Sequence, residues 1–391
     1  MSVLLSTPAT LSVTSFPYSL PPSGQAMMIG TNFAQDIRPP THSAFEWNYA
    51  VFFFYGGGTL VDDYSAGGAY VIAGSGGHAV PPNFGGCLFD FADATWKRID
   101  NANGMPWIKR DLNSPGFSGE INSFGEINYP GASAGIPAPA HLYGNVQPLP
   151  AATGGGSRGS VLILRSSAAG YSSNFGSSYA HRFDLSSGLW TRLSTNAATA
   201  NSSFRTSCYD PVTNRYYMPR FALSESSSLD YLDGADWTWK AVNIGNVPTE
   251  GNNKTAFIDE ARRLLIVQTS TGKLRAIDLN NPGAGPVVLR TTGPLPPDNQ
   301  TRWHLYPPDG CWYTYEGHGG NELYKIQPPA ANPLTDTWIC STVQIGGAML
   351  PAQGAQAKEG AVHNARFTYV RAIGCFAWIA GERNQVAILK P

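Results

Sequence analysis

Apolar residues along this chain occur in short alternating runs, each closed by Gly, Pro, Asn or Asp. Runs this short, bounded by turn residues, read as strands rather than helices. No convincing amphipathic helix is present. Four stretches open alike: "RTSCYDPVTNRYYMP" from Arg205, "KTAFIDEARRLLIVQ" from Lys254, "RWHLYPPDGCWYTYE" from Arg302 and "RFTYVRAIGCFAWIA" from Arg366. Each has a basic residue, a short apolar strand, a tight turn and a second apolar strand. A third strand follows, as in "KLRAIDL", "ELYKIQ" and "QVAILKP".

The fourth strand supplies a ruler. Trp190, Trp239, Val288 and Trp338 lie about 49 residues apart, a period that signals a β-propeller with one four-stranded blade per repeat. The pattern marks six antiparallel blades, over about 44–100, 141–195, 204–244, 253–292, 301–346 and 364–391. The fold class expected is therefore all-β, a single propeller domain over 1–391, with seven blades as the alternative. Residues 101–140 break the period and read as an insertion between the first and second blades. That insertion and the crossing 346–360 are expected to project as contact arms. The sixth blade stops after three strands. An open blade would expose an unpaired edge, so the N-terminal segment is expected to close the ring, with a strand within residues 2–14 pairing with Val386–Leu389.

A motif recurs in "GGCLFDFADATWKRI" (85–99) and "SSYAHRFDLSSGLWTRL" (177–193): an apolar–Asp strand, a polar turn, then Trp. With the preceding "AYVIAGSGGHAVPPNF" it resembles a kelch repeat of the galactose-oxidase-like propellers, clearly at 69–99, well at 159–193 and in degenerate form later. Trp96, Trp190 and Trp338 are expected to be buried at equivalent packing positions, with Gly serving close approach of strands.

Composition narrows the function classes. The 391 residues carry a net charge of −1. That excludes a strong whole-molecule field for nucleic acid or membrane surfaces, and no specific nucleic-acid binding is expected. Charged residues make up 14%, against about 25% in typical soluble domains. No apolar run is long enough for a transmembrane helix, so no membrane insertion is expected. The start has no basic n-region, so no signal peptide is expected and synthesis is assigned to the cytoplasm. Cys87, Cys208, Cys311, Cys340 and Cys375 lack CxxC spacing and read as inert structural thiols.

No motif selects a catalytic residue. "GGGSRG" at 154–159 formally matches two glycine-rich signatures, but a strand follows where a helix is required. The seven histidines show no metal-ligand spacing, and neither a metal nor a cofactor is expected. The sharpest constellation is Arg205, Lys254, Arg302 and Arg366, each at the start of an innermost strand. Together they would ring one mouth of the central channel as a ligand-binding site for an anion or an acidic partner. Against this stands a purely structural role, with these cations paired to blade carboxylates such as Asp210 and Asp259.

The leading expectation is a non-enzymatic interaction or structural propeller with protein partners in an assembly, a homo-oligomer among the options. The Ser-, Gly-, Asn- and Ala-rich composition is similar to that of bacteriophage virion proteins, whose tail nozzles and hubs include six-bladed propellers. Two alternatives stand beside it, the first of them implied by the kelch resemblance. One is a carbohydrate-active oxidase or sugar epimerase. The other is a carbohydrate-binding adhesin using aromatics such as Trp107, Trp303 and Trp312.

Overall fold

The computed structural model describes residues 15–39, 57–73, 85–100, 142, 144–164, 179–196, 206–219, 226–247, 253–269, 271–297, 302–317, 319–352, 366–381 and 383–391, together with 102, 126 and 135–137 of the insertion. Their strands form six antiparallel sheets arranged as the blades of a β-propeller. Blade 1 comprises Gly58–Val61, Ala69–Ala73, Gly86–Asp90 and Thr95–Ile99. Blade 2 comprises Val146–Leu149, Ser160–Ile163, His181–Asp184 and Trp190–Arg192. Blade 3 follows with Cys208–Asp210, Arg215–Met218, Ser226–Asp233 and Thr238–Val247, and blade 4 with Asn253–Asp259, Leu264–Thr269, Leu274–Asp278 and Val287–Val288. Blade 5 runs through His304–Tyr306, Cys311–Thr314, Glu322–Gln327 and Thr337–Gln344, with Arg290–Thr292 added parallel at its rim.

Blade 6 holds Phe367–Val370, Cys375–Trp378 and Val386–Lys390, and its fourth strand is Gln25–Ile29. The ring therefore closes through the N-terminal segment, but not through residues 2–14, which lie outside the described residues. Gln25 pairs with Lys390, and Ile29 with Val386. The turn "PPSG" and the apolar run "QAMMI" carry this strand. The ring also refutes projection for the start of 346–360: Gly346–Gly347 lies parallel to Gln25–Ala26, and Leu350 is buried between blades 5 and 6. Likewise Ile136 of the insertion packs into the core between blades 1 and 2, and Glu126 is buried.

No single core holds the molecule together. Six clusters fill the six interfaces between neighbouring blades. Phe89, Trp96 and Ile388 join blades 6 and 1; Leu88, Phe183 and Trp190 join blades 1 and 2. Leu162, Leu232 and Trp239 join blades 2 and 3; Tyr231, Ala256 and Leu265 join blades 3 and 4. Phe257, Trp303, Trp312 and Trp338 join blades 4 and 5; Phe367, Phe376 and Trp378 join blades 5 and 6. Each fourth-strand Trp thus packs on the preceding blade. Trp303 and Trp312 are core residues, which removes them as sugar-stacking surfaces; Trp107 lies outside the described residues.

The register corrects part of the ruler. Trp96, Trp190 and Trp239 stand opposite Phe89, Phe183 and Leu232. In blade 5 the residue opposite Ile326 is Cys340, so Trp338 is displaced by two along its strand while keeping the same face. Val288 pairs with Arg275 and is exposed, so it is no counterpart of the tryptophans.

The Asp of the repeated motif serves the turn. Asp90, Asp184, Asp233 and Asp278 each accept the backbone N–H two residues on, at 2.9, 2.8, 3.1 and 2.9 Å. These Asx turns close one face of the ring with short connections. The longer connections between second and third strands, 74–84 and 165–178, leave from the other face, where the inner strands begin, whereas the insertion 101–140 starts beside the turn of blade 2, where Ala102 N–H donates to Gly188 O at 2.8 Å.

Candidate functional site

The residues that open the inner strands meet at one level of the channel. In blade 2 the chain approaches through Gly144 and Asn145; in blade 3 through Thr206 and Ser207; in blade 5 through Arg302; in blade 6 through Arg366. Gly144 and Thr206 form a parallel bridge. Ser207 donates its hydroxyl to Gly144 O at 2.6 Å, and Gln147 Nε2 donates to Ser207 O and Oγ, both at 2.8 Å. Thr206 Oγ1 accepts the N–H of Ala256 in blade 4 at 3.1 Å. The alternation of each strand sets these directions: Thr206 faces blade 4 because Cys208, two residues on, packs there.

Arg302 is 8% exposed and extends across the ring. Its Nη2 donates to Gly144 O at 3.0 Å and to Val146 O at 2.6 Å. Blades 2 and 5 are three blades apart in a ring of six, so this side chain spans the axis. No carboxylate pairs with Arg302 among the described residues, and its buried Nε has no hydrogen-bond partner there. Burial lowers its pKa to about 10. Arg366, 3% exposed, donates to Ala380 O at 3.2 Å.

Tyr70 is the third member of this group. It is fully buried, its pKa is raised to about 12 by burial, and both Arg366 and Arg302 act on it against that rise. Its hydroxyl reaches the inner strand of its own blade only because residue 58 is Gly: a Cβ there would overlap Tyr70 Oη. His304 completes the set. Burial, and then the Arg302 charge, lower its pKa to about 3, so it is neutral. Its ring stands edge-on to Phe367 with centroids 6.3 Å apart.

Of the four cations expected to ring the mouth, Arg302 and Arg366 therefore lie buried on the side where the inner strands begin. Arg205 and the Lys254 side chain lie outside the described residues. The expected structural partners are taken by others. Asp210 makes a bidentate pair with Arg263, both contacts at 2.7 Å, and Asp259 pairs with Arg262 at 2.9 Å. Tyr70, His304 and the carbonyls of Gly144 and Val146 escaped the sequence reading. The carbonyls have no side-chain signature, and Tyr70 sits on a second strand that looks purely apolar.

Carboxylates and arginines meet at the channel's other end. Asp62 in blade 1 and Glu260 in blade 4 both face the charge of Arg371 in blade 6. Burial raises both carboxyl pKa values, and Arg371 opposes the rise.

Among the described residues no group of three or more His, Cys, Asp and Glu is arranged to hold a metal ion. All five cysteines are free and buried, and burial raises each thiol pKa. No helix among the described residues is long and apolar enough to cross a membrane.

No family model matches the chain, and no curated protein does. Solved structures of similar shape include two propeller-sized matches. One is a protein of unknown function from Bacteroides thetaiotaomicron VPI-5482, 11% identical, with a TM-score of 0.45 over 93% of this chain and 74% of that one. The other is the Dos1 propeller, 13% identical, with a TM-score of 0.41 over 85% of this chain and 65% of that one. The propeller assignment here rests on strand order and pairing.

Proposed function

We propose that this chain is a non-enzymatic interaction ring, a building block of a protein assembly whose contact face is the one where the inner strands begin. The observation that carries this reading is the difference between the two faces. One is closed by tight Asx turns at the blade edges. The other bears the second-to-third-strand connections 74–84 and 165–178 and the inner-strand starts, with Arg302 and Arg366 buried beneath them. Connecting segments held by a rigid scaffold are where propellers place recognition. The low charged content and near-neutral net charge fit a surface covered by neighbours. Of the assemblies such a ring serves, a phage tail nozzle or hub fits the composition.

Light scattering on the purified chain between 1 and 100 µM tests the self-assembly form of this reading. The expected result is a species larger than the 41.9 kDa chain that grows with concentration. A strict monomer that oxidises or epimerises sugars would overturn it in favour of a carbohydrate-active enzyme.

A further inference from the structure

We propose that the axis of the ring, at the level where the inner strands begin, is a binding site for a carboxylate group, anchored by Arg302. A buried guanidinium is costly unless it is matched by acceptors. Here two main-chain carbonyls occupy Nη2, while Nε has no partner among the described residues. Three more buried polar atoms near the inner-strand starts are also without one: Asn145 Oδ1 in blade 2, Thr255 Oγ1 in blade 4 and His304 Nε2 in blade 5. Buried polar groups in folded proteins are almost always hydrogen-bonded, so an unmatched guanidinium N–H on the side chain that spans the axis points to a bound acceptor.

The charge and the donors select its chemistry. Thr255 lies on the face of its strand that looks toward blade 5, since Ala256 packs toward blade 3 and Phe257 toward blade 5. Its hydroxyl and Arg302 Nε are donors. The Arg366 charge acts on the same Tyr70 hydroxyl as the Arg302 charge. His304 is neutral and adds no charge. The groups that can meet an anion are thus the Arg302 charge and N–H and the Thr255 hydroxyl; Asn145 Oδ1 and the Nε2 of neutral His304 are acceptors and call for a donor, not the anion. The site suits a singly charged planar anion that accepts from guanidinium N–H, which is the geometry of a carboxylate. The acid is either free or the side chain of an acidic partner residue. In the second case this inference deepens the interaction reading and rests on it.

Arginine Nε–H resonances of the ¹⁵N-arginine-labelled full chain read the site directly. Titration uses sodium acetate, and separately the end-blocked peptide Gly-Ser-Glu-Ser-Gly, each against sodium chloride at equal ionic strength. The expected result is a saturable shift of one slowly exchanging Nε–H resonance that chloride does not reproduce. R302K should abolish that resonance and weaken binding at least tenfold. If R302K does not fold, R366K and R275K remove in turn the other two buried arginines among the described residues, and a resonance that survives both belongs to Arg302. Saturation by acetate alone identifies a free-acid site, whatever the sizing experiment shows. Saturation by the peptide at lower concentration identifies a partner side chain. A folded protein in which neither probe moves any arginine resonance, or in which chloride moves it equally, overturns the proposal without touching the interaction reading.

Discussion

Arg302, at the start of the inner strand of blade 5, donates to the carbonyl of Val146 in the opposite blade over 2.6 Å. A ring assembled from neighbour-to-neighbour interfaces is thereby also braced across its diameter. Removing the donor takes from Val146 O its side-chain partner, while Gly144 O keeps the hydroxyl and N–H of Ser207. Arg302→Met should therefore destabilise the protein by about 1–3 kcal/mol in urea unfolding, although it also removes a buried charge. An unchanged or raised midpoint would show that the brace contributes nothing to folding.

Closure by Gln25–Ile29 gives a second expectation. Ile29 is 4% exposed and packs between blades 6 and 1. Ile29→Ala should cost about 2–4 kcal/mol. Deleting residues 1–29 should cost far more, because Val386–Lys390 becomes an unpaired edge. Calorimetry that gave both variants the wild-type Tm would place the closing strand elsewhere.

The corrected register separates residues that the repeat treats alike. Truncating Trp96, Trp190 or Trp338 to Ala should each cost about 3–5 kcal/mol, since all three are buried. Val288→Ala, at an exposed rim position, should stay within about 0.5 kcal/mol. Equal losses at Val288 and Trp338 would restore the simple 49-residue alignment.

His304 makes stability depend on pH. Its folded pKa is lowered to about 3, first by burial and then by the Arg302 charge. The unfolded histidine takes up a proton near its ordinary value of about 6.5. Its contribution is thus fully present above that value and is lost as pH falls toward 3, at about 1.4 kcal/mol per pH unit. His304→Gln should flatten the slope of unfolding free energy between pH 6 and 4 relative to wild type. Parallel slopes for the two proteins would mean that His304 is already charged in the fold.

Gly58 and Tyr70 form a steric pair. Gly58→Ala places a methyl against the Tyr70 hydroxyl and should cost about 1–3 kcal/mol by overpacking. Tyr70→Phe removes the nearest of the clashing atoms but keeps ring carbon Cζ, 2.5 Å from the added Cβ, so the double variant should recover only part of that loss. A double-mutant cycle with no coupling would mean that the hydroxyl lies away from residue 58.

The sequence by itself determined the repeat: alternating strands, Asp-anchored turns and a Trp that fills the seam with the preceding blade. All of these are local, because strand alternation and Asx turns are decided within a few residues. The need for a closing strand was also legible, since the last blade lacked one. Which segment supplies it was not, because Gln25–Ile29 competes with other apolar runs nearby and only pairing with Val386–Lys390 selects it. The approach of Arg302 and Arg366 to Tyr70 was half legible. Their shared position at strand starts was visible, but their burial and the crossing to Val146 were not. Backbone carbonyls carry no side-chain signature, and a contact across the diameter exists only once all six blades have fixed the width of the channel.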